Sequence, residues 1–217
     1  SLFTKNLNSF ANSRSSISMY LHFPFCPKQC YFCHCYTVIS RNDDHYEKIS
    51  LSIIQEIENL FKKIKNNKLK VTDIHFGGGT PTVMPIKYFK KISEMIQNNV
   101  DKKYLKEIAL EVDPRNEMNS EKLLKYSKFG VNRLSIGIQD FDLEVQKSIN
   151  RINSFELIKN LLNNKVRDTY ESINFDFIFG LPKQTLSSLE ITTRKIVELK
   201  PSRITLLNMD HRPDIYR

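Results

Sequence analysis

The chain has 217 residues, with 33 Lys plus Arg against 24 Asp plus Glu, for a net charge of +9. Hydrophobic residues at 40% and charged residues at 26% are the balance of a soluble globular protein able to bury a real core. No apolar run approaches the ~18 residues that a membrane-spanning helix needs, and residues 1–16 lack the apolar stretch and cleavage site of a secretory signal.

The absence of an initiator Met reads as a fragment or a processed chain. The positive charge suits an anionic partner such as a polycarboxylate, or reflects a lysine-rich composition. The lysines are scattered (Lys62, Lys63, Lys65, Lys68; Lys87, Lys90, Lys91) rather than gathered in an aromatic-laced stripe. No nucleic-acid partner is therefore expected.

A strand-then-helix rhythm runs through the chain. Residues 17–23 read as a strand. Residues 43–66 read as a helix with Asn42 or Asp43 as cap and an apolar stripe at Ile53, Ile57, Leu60, Phe61 and Ile64. A second strand at 71–76 precedes a helix opened by Pro85 and running to about 97. A third strand at 108–112 precedes a helix near 120–128 that stops at Gly130. A fourth strand at 131–138 precedes helices near 141–149 and 154–163. A fifth strand at 173–179 precedes a helix capped by Thr185 and ending near 199, and a sixth strand follows at 203–208.

Six βα units without a hairpin signal point to a parallel sheet. Along the strands one face is apolar, as at Leu134, Ile136 and Ile138. The other is repeatedly polar toward the strand's C-terminal end, as at Glu111, Gln139 and Asp176. A doubly wound sheet covered on both faces should be apolar on both. A barrel lumen tolerates one polar face, and barrel sites form at the C-terminal rim. The expected fold is α/β, a partial (βα)6 TIM-like barrel with a lateral opening. The expected organisation is an N-terminal extension at 1–16 and a core barrel at 17–217, ending before a sixth helix and any C-terminal domain.

All four cysteines, Cys26, Cys30, Cys33 and Cys35, lie within ten residues. A disulfide framework would spread them to close long loops, so this crowding reads as a metal site in a reducing compartment. The spacing Cys26-x3-Cys30-x2-Cys33 follows the first strand directly and falls on the C-terminal rim. Three thiolates can hold three corners of a 4Fe–4S cluster and leave one iron open. A zinc knuckle with His34 or His22 as fourth ligand and plain buried cysteines are the alternatives, although zinc sites commonly pair such cysteines with a distant second pair.

The surrounding run reads Tyr20-Leu21-His22-Phe23-Pro24-Phe25-Cys26, with Phe32 before Cys33. Further on come Gly77-Gly78-Gly79-Thr80-Pro81, Glu111-Val112-Asp113-Pro114-Arg115, Gly137-Ile138-Gln139-Asp140-Phe141, Asn150-Arg151, and Asp176 through Gly180-Leu181-Pro182-Lys183-Gln184. In this order and spacing the chain, from about 17 to 214, resembles the oxygen-independent coproporphyrinogen III oxidase family of the radical S-adenosylmethionine superfamily. The resemblance implies a 4Fe–4S cluster on Cys26, Cys30 and Cys33. It also implies S-adenosylmethionine held by Tyr20, Phe32, Gly78, Gly79, Thr80, Glu111, Gln139, Arg151 and Asp176. No residue is singled out as catalytic.

Implied too are a tetrapyrrole substrate carrying propionates and a reducing donor such as flavodoxin or ferredoxin. A cytoplasmic location and a monomer are expected. The activity implied is oxidative decarboxylation of coproporphyrinogen III propionates to vinyl groups, giving protoporphyrinogen IX. A heme chaperone or a heme-modifying radical enzyme of the same superfamily is the alternative. Cys35 fits the oxidase branch, because the chaperone branch usually carries Phe there. The chain departs from the family at Asp210-His211-Arg212-Pro213, where Ala-His-Leu/Met-Pro is common.

Overall fold

The computed structural model describes Asn6 and residues 16–64, 69–115 and 118–210. Six parallel strands form one sheet: β1 (Ile17–Phe23), β4 (Val71–Gly78), β5 (Glu107–Val112), β6 (Arg133–Gln139), β7 (Ser172–Phe179) and β8 (Arg203–Asn208), hydrogen-bonded in that order. Two further strands, β2 (Phe25–Cys26) and β3 (Val38–Ile39), pair in parallel and bracket the cysteine loop. The six-stranded sheet keeps β1 and β8 as separate edges, so the barrel is partial and not closed.

Each helix starts where a polar cap meets a periodic run. In α1 (Asp43–Lys62) the Asn42 side chain accepts from Asp44 N at 2.9 Å. Helix α2 (Ile86–Asn99) begins after Pro85, which is its cap rather than its first residue. Asn119 caps α3 (Ser120–Ser127), Asp142 caps α4 (Leu143–Ser148) and Ser154 caps α5 (Phe155–Leu161). A separate turn of helix, α6 (Asn164–Thr169), carries its own cap at Asn163. Helix α7 (Leu186–Glu198) opens with reciprocal bonds between Thr185 and Ser188.

The differences from the sequence reading are at ends and in short pieces. The first helix stops at Lys62, short of the expected 66. The fourth strand opens at Arg133 rather than 131, because Asn132 spends its side chain on β5: it accepts from Ile108 N at 2.8 Å and donates to Lys106 O at 2.9 Å. β2, β3, α6 and a 3-10 turn at Pro81–Val83 were not expected. Pieces this short contain too little of a period to read.

The apolar strand faces and the helices share one core. Phe76 meets Phe89 at 4.5 Å between ring centroids, and Phe89 meets Tyr126 edge-on at 4.7 Å. Leu110, Leu134, Ile136 and Phe175 are fully buried in the same cluster. Each such side chain contributes about 1.5–3 kcal/mol on burial. At the strands' N-terminal ends Glu107 bridges Arg133 (2.7 Å) and Arg203 (3.4 Å), which fills that end with ion pairs. The opposite, C-terminal end is where the polar lumen side chains and the cysteine loop come together. β8 differs from the other strands, with Ile204, Leu206 and Leu207 about half exposed.

Candidate cofactor site at the C-terminal rim

A cavity of about 560 Å³ opens at this rim. Cys26, Cys30, Cys33 and Cys35 line one side; Gly78, Gly79, Thr80, Glu111, Gln139, Arg151 and Asp176 line the other, with Phe32 between. Every site residue expected from the sequence except Tyr20 therefore faces one space. Tyr20 stands at its edge. Its ring stacks on His75 at 5.7 Å and lies so close over Gly77 that a Cβ there would meet it at 2.8 Å. Burial, with Glu111 nearby, pushes the Tyr20 hydroxyl up to about 12.

The glycine turn is shaped by the strands beside it. Gly79 N donates to Phe23 O at 2.7 Å and Thr80 N to Phe25 O at 2.8 Å. Gly78 has φ +111, a conformation open to glycine, and a Cβ on Gly79 would stand 2.6 Å from Phe25 O. Next to the turn, Glu111 accepts from His75 Nε2 at 2.8 Å and from Gly78 N at 3.2 Å.

The cysteine loop is tied down from the far side of the barrel. Tyr31 N donates to Ile149 O at 3.0 Å, and Asn150 Nδ2 donates to Gln29 O at 2.7 Å. The three sulfurs have different neighbours. Cys26 Sγ is 3.3 Å from Thr80 Oγ1, and burial pushes its thiol up to about 11. Cys30 Sγ accepts from two guanidiniums, Arg115 Nη2 at 3.3 Å and Arg151 Nη1 at 3.6 Å. Cys33 is drawn down to about 6 by the hydrogen bond from Cys35, whose own thiol is pushed well up.

Asp113 organises both arginines. It takes Arg115 Nη2 at 2.6 Å and Arg151 Nη1 at 3.3 Å, and it is only 8% exposed. Burial works against its charge, but the two guanidiniums prevail and hold it at about 2. Arg151 also gives Nε and Nη2 to Gly137 O at 3.3 and 2.8 Å. Four of its five donors are thus engaged, so a forked grip on a ligand carboxylate requires these bonds to rearrange.

Asp176 lacks such company. Ser135 Oγ donates to it at 3.0 Å and Asn174 Nδ2 at 2.7 Å, with no ion pair formed to it among the described residues. Burial raises its affinity for a proton. Gln139, at a register shift in β6 with φ 66, has a buried Oε1 with no hydrogen-bond partner. A buried unpaired acceptor is costly, and this one lines the cavity.

Sequence reading did not single out His75, Asp113, Arg115, Ser135 or Asn174. Asp113 and Arg115 were in plain view inside one motif, but their pairing with Arg151 and Cys30 needs the fold. Conversely, Asp140 and Gln184 belong to the matched motifs without lining the cavity. Asp140 is fully buried and accepts from Thr192 Oγ1 and Gln184 Nε2, both at 2.6 Å, which ties β6 to α7. Asp210 lines the cavity, and its carbonyl is 2.9 Å from His34 Nε2. His211, Arg212 and Pro213 lie outside the described residues.

A radical SAM superfamily model matches residues 20–196. The chain belongs to the radical SAM superfamily. Oxygen-independent coproporphyrinogen III oxidase of Escherichia coli is 36% identical over 200 residues, covering 92% of this chain and 43% of the relative. The protein of that name from Bradyrhizobium diazoefficiens is 38% identical over 200 residues, covering 92% and 44%. The solved E. coli coproporphyrinogen III oxidase superposes with a TM-score of 0.89 at 34% identity, covering 99% of this chain and 48% of that one. Methylornithine synthase, at 16% identity and a TM-score of 0.59, shares the fold. The chain spans less than half the length of the curated relatives it matches.

Membership of the radical SAM superfamily implies a 4Fe–4S cluster and S-adenosylmethionine. The residues present fit both. His22 and His34, the candidate zinc ligands, instead meet the Tyr36 and Asp210 carbonyls at 2.8 and 2.9 Å. The thiols flank a cavity large enough for a group of many atoms, and the orphaned Gln139 Oε1 awaits a donor within it. No helix is long and apolar enough to cross a membrane among the described residues.

Proposed function

We propose that this chain is the radical SAM core of an oxygen-independent coproporphyrinogen III oxidase, with residues 17–217 as the core and 1–16 as an extension before it. The reaction is oxidative decarboxylation of coproporphyrinogen III propionates to vinyl groups, giving protoporphyrinogen IX for heme. The observation that carries the reading is the single cavity joining the cysteine loop to the polar lumen. The names and identities of the relatives support the substrate.

In this reading Cys26, Cys30 and Cys33 hold the cluster. The Gly78–Gly79–Thr80 turn offers close backbone approach to the amino-acid moiety of S-adenosylmethionine, and Glu111, Gln139 and Asp176 offer acceptors in the lumen. Arg151 supplies positive charge, while Phe32 and Tyr20 supply aromatic surface. When bound, the two cofactors supply the radical chemistry, and the barrel orients them and keeps water away. The tetrapyrrole and a flavodoxin- or ferredoxin-like donor are the partners, in a reducing cytoplasm, with the protein acting as a monomer. Four cysteines without a disulfide are consistent with that compartment.

The test is anaerobic incubation of the reconstituted full-length protein with S-adenosylmethionine, reductant and coproporphyrinogen III, with products read by mass spectrometry. Loss of carbon dioxide from two propionates is the expected result. Tight retention of heme added in a parallel incubation, with no vinyl product from coproporphyrinogen III, would replace this reading with a heme chaperone.

A further inference from the structure

Arg115 has no role in the reading above, yet it points at the cysteine loop. It follows β5 in the turn Asp113-Pro114-Arg115, and its side chain is 12% exposed. Nε and Nη2 donate to Asp113 at 2.9 and 2.6 Å, and Nη1 donates to the Asn150 carbonyl at 3.1 Å. Nη2 also donates to Cys30 Sγ at 3.3 Å. The guanidinium is therefore fixed in place before any cofactor binds. Arg151 Nη1 reaches the same sulfur at 3.6 Å, whereas Cys26 has a hydroxyl beside it, so Arg115 is the nearer of two charged donors on Cys30.

Reduction of an iron–sulfur cluster adds one electron and one negative charge, spread partly onto its sulfur ligands. Hydrogen bonds to those sulfurs and nearby cations stabilise the reduced form and raise the potential. We propose that Arg115 is a positioning residue that, braced by Asp113 and Asn150, donates to the Cys30 sulfur and raises the midpoint potential of the cluster. This rests on Cys30 being a cluster ligand. The step concerned is one electron passing from the external reductant to the cluster, from its 2+ to its 1+ state, with no bond made or broken. The competing role is a mechanical latch that only holds the loop against residue 150.

The experiment is an anaerobic redox titration of the reconstituted protein, followed by electron paramagnetic resonance, with iron content measured in parallel. Wild type, Arg115→Gln and Arg115→Lys are compared. Arg115→Gln is expected to keep its iron and to shift the midpoint negative by about tenfold in the reduction equilibrium, about 59 mV for one electron. Arg115→Lys keeps the charge but loses the fork, so it should fall between. A mere latch would lose iron in both variants without moving the midpoint of the cluster that remains. Unchanged midpoints with full iron, or loss of the cluster from both Arg115 variants, would overturn the proposal. Wild type that takes up no iron would instead overturn the ligand assignment on which it stands.

Discussion

Ser135 Oγ donates to Asp176 Oδ2 at 3.0 Å, which gives a buried carboxylate a neutral partner where a cation would be expected. Burial raises the pKa of Asp176, so its charge at neutral pH is a cost to the ligand-free fold. A side chain kept at such a cost is better explained by a ligand than by packing.

Asp176→Asn keeps nearly the same volume and removes the charge. It should weaken S-adenosylmethionine binding by about 1.5–3 kcal/mol, the scale of a charged hydrogen bond. The melting temperature without ligand should hold or rise. Calorimetric titration and a thermal melt give the two readings. A falling melting temperature with unchanged affinity would make Asp176 a structural residue.

Asp113 presents the opposite electrostatics. Its carboxyl sits at about 2, below its ordinary 3.8, because Arg151 and Arg115 outweigh the effect of burial. The unfolded chain therefore takes up the proton first as pH falls. The stability this group contributes is complete above about pH 4 and is lost as pH falls through about 2, on the order of 2 kcal/mol. Asp113→Asn leaves two buried guanidiniums without their anion and should cost about 3–5 kcal/mol at neutral pH. Urea unfolding of both proteins from pH 2 to 7 measures this. The gap between them should narrow toward pH 2, and a gap independent of pH would refute the assignment.

These two carboxylates show how far the sequence could be read. Asp176 was legible because period-two alternation places it on the polar face of an otherwise apolar strand. The cysteine loop was legible because three thiols at short spacing follow a strand directly. Asp113 is not legible as a site residue, because its significance comes from Arg151, 38 residues away, and no local pattern encodes that meeting. Asp140 shows the converse: it belongs to a recognisable motif, yet its bonds to Thr192 and Gln184 make it a brace between β6 and α7. Motif membership alone does not separate a ligand from a strut. Strand ends moved where a side chain such as Asn132 substituted for the backbone ladder.

Cys35 is set apart from the other thiols by its exposure and by its hydrogen bond to Cys33. Anaerobic reconstitution should yield about four irons per chain, and Cys26→Ser, Cys30→Ser or Cys33→Ser should each abolish most of it. Cys35→Ser should retain the iron. Iron and sulfide analysis alongside the visible spectrum decides the matter. A loss with Cys35→Ser as complete as with Cys30→Ser would move the ligand set.

Gly79 and Gly180 separate crowding from backbone strain. At Gly79 an added Cβ would stand 2.6 Å from Phe25 O and 3.1 Å from Cys26 Sγ, so the clash is against backbone and cannot be relieved by turning a side chain. Gly79→Ala must push β2 away and carry Cys26 with it. The cost should be about 1–3 kcal/mol of stability, with a clear drop in iron uptake. At Gly180 the nearest atoms are 3.5 and 3.7 Å away, but φ is +82. Gly180→Ala should cost about 1–2 kcal/mol from the left-handed backbone alone, and iron uptake should be unchanged because Gly180 does not line the cavity. Denaturant unfolding and iron analysis on both variants test the pair. Equal iron uptake by the two would show that the turn at Gly79 does not set the position of the cysteine loop.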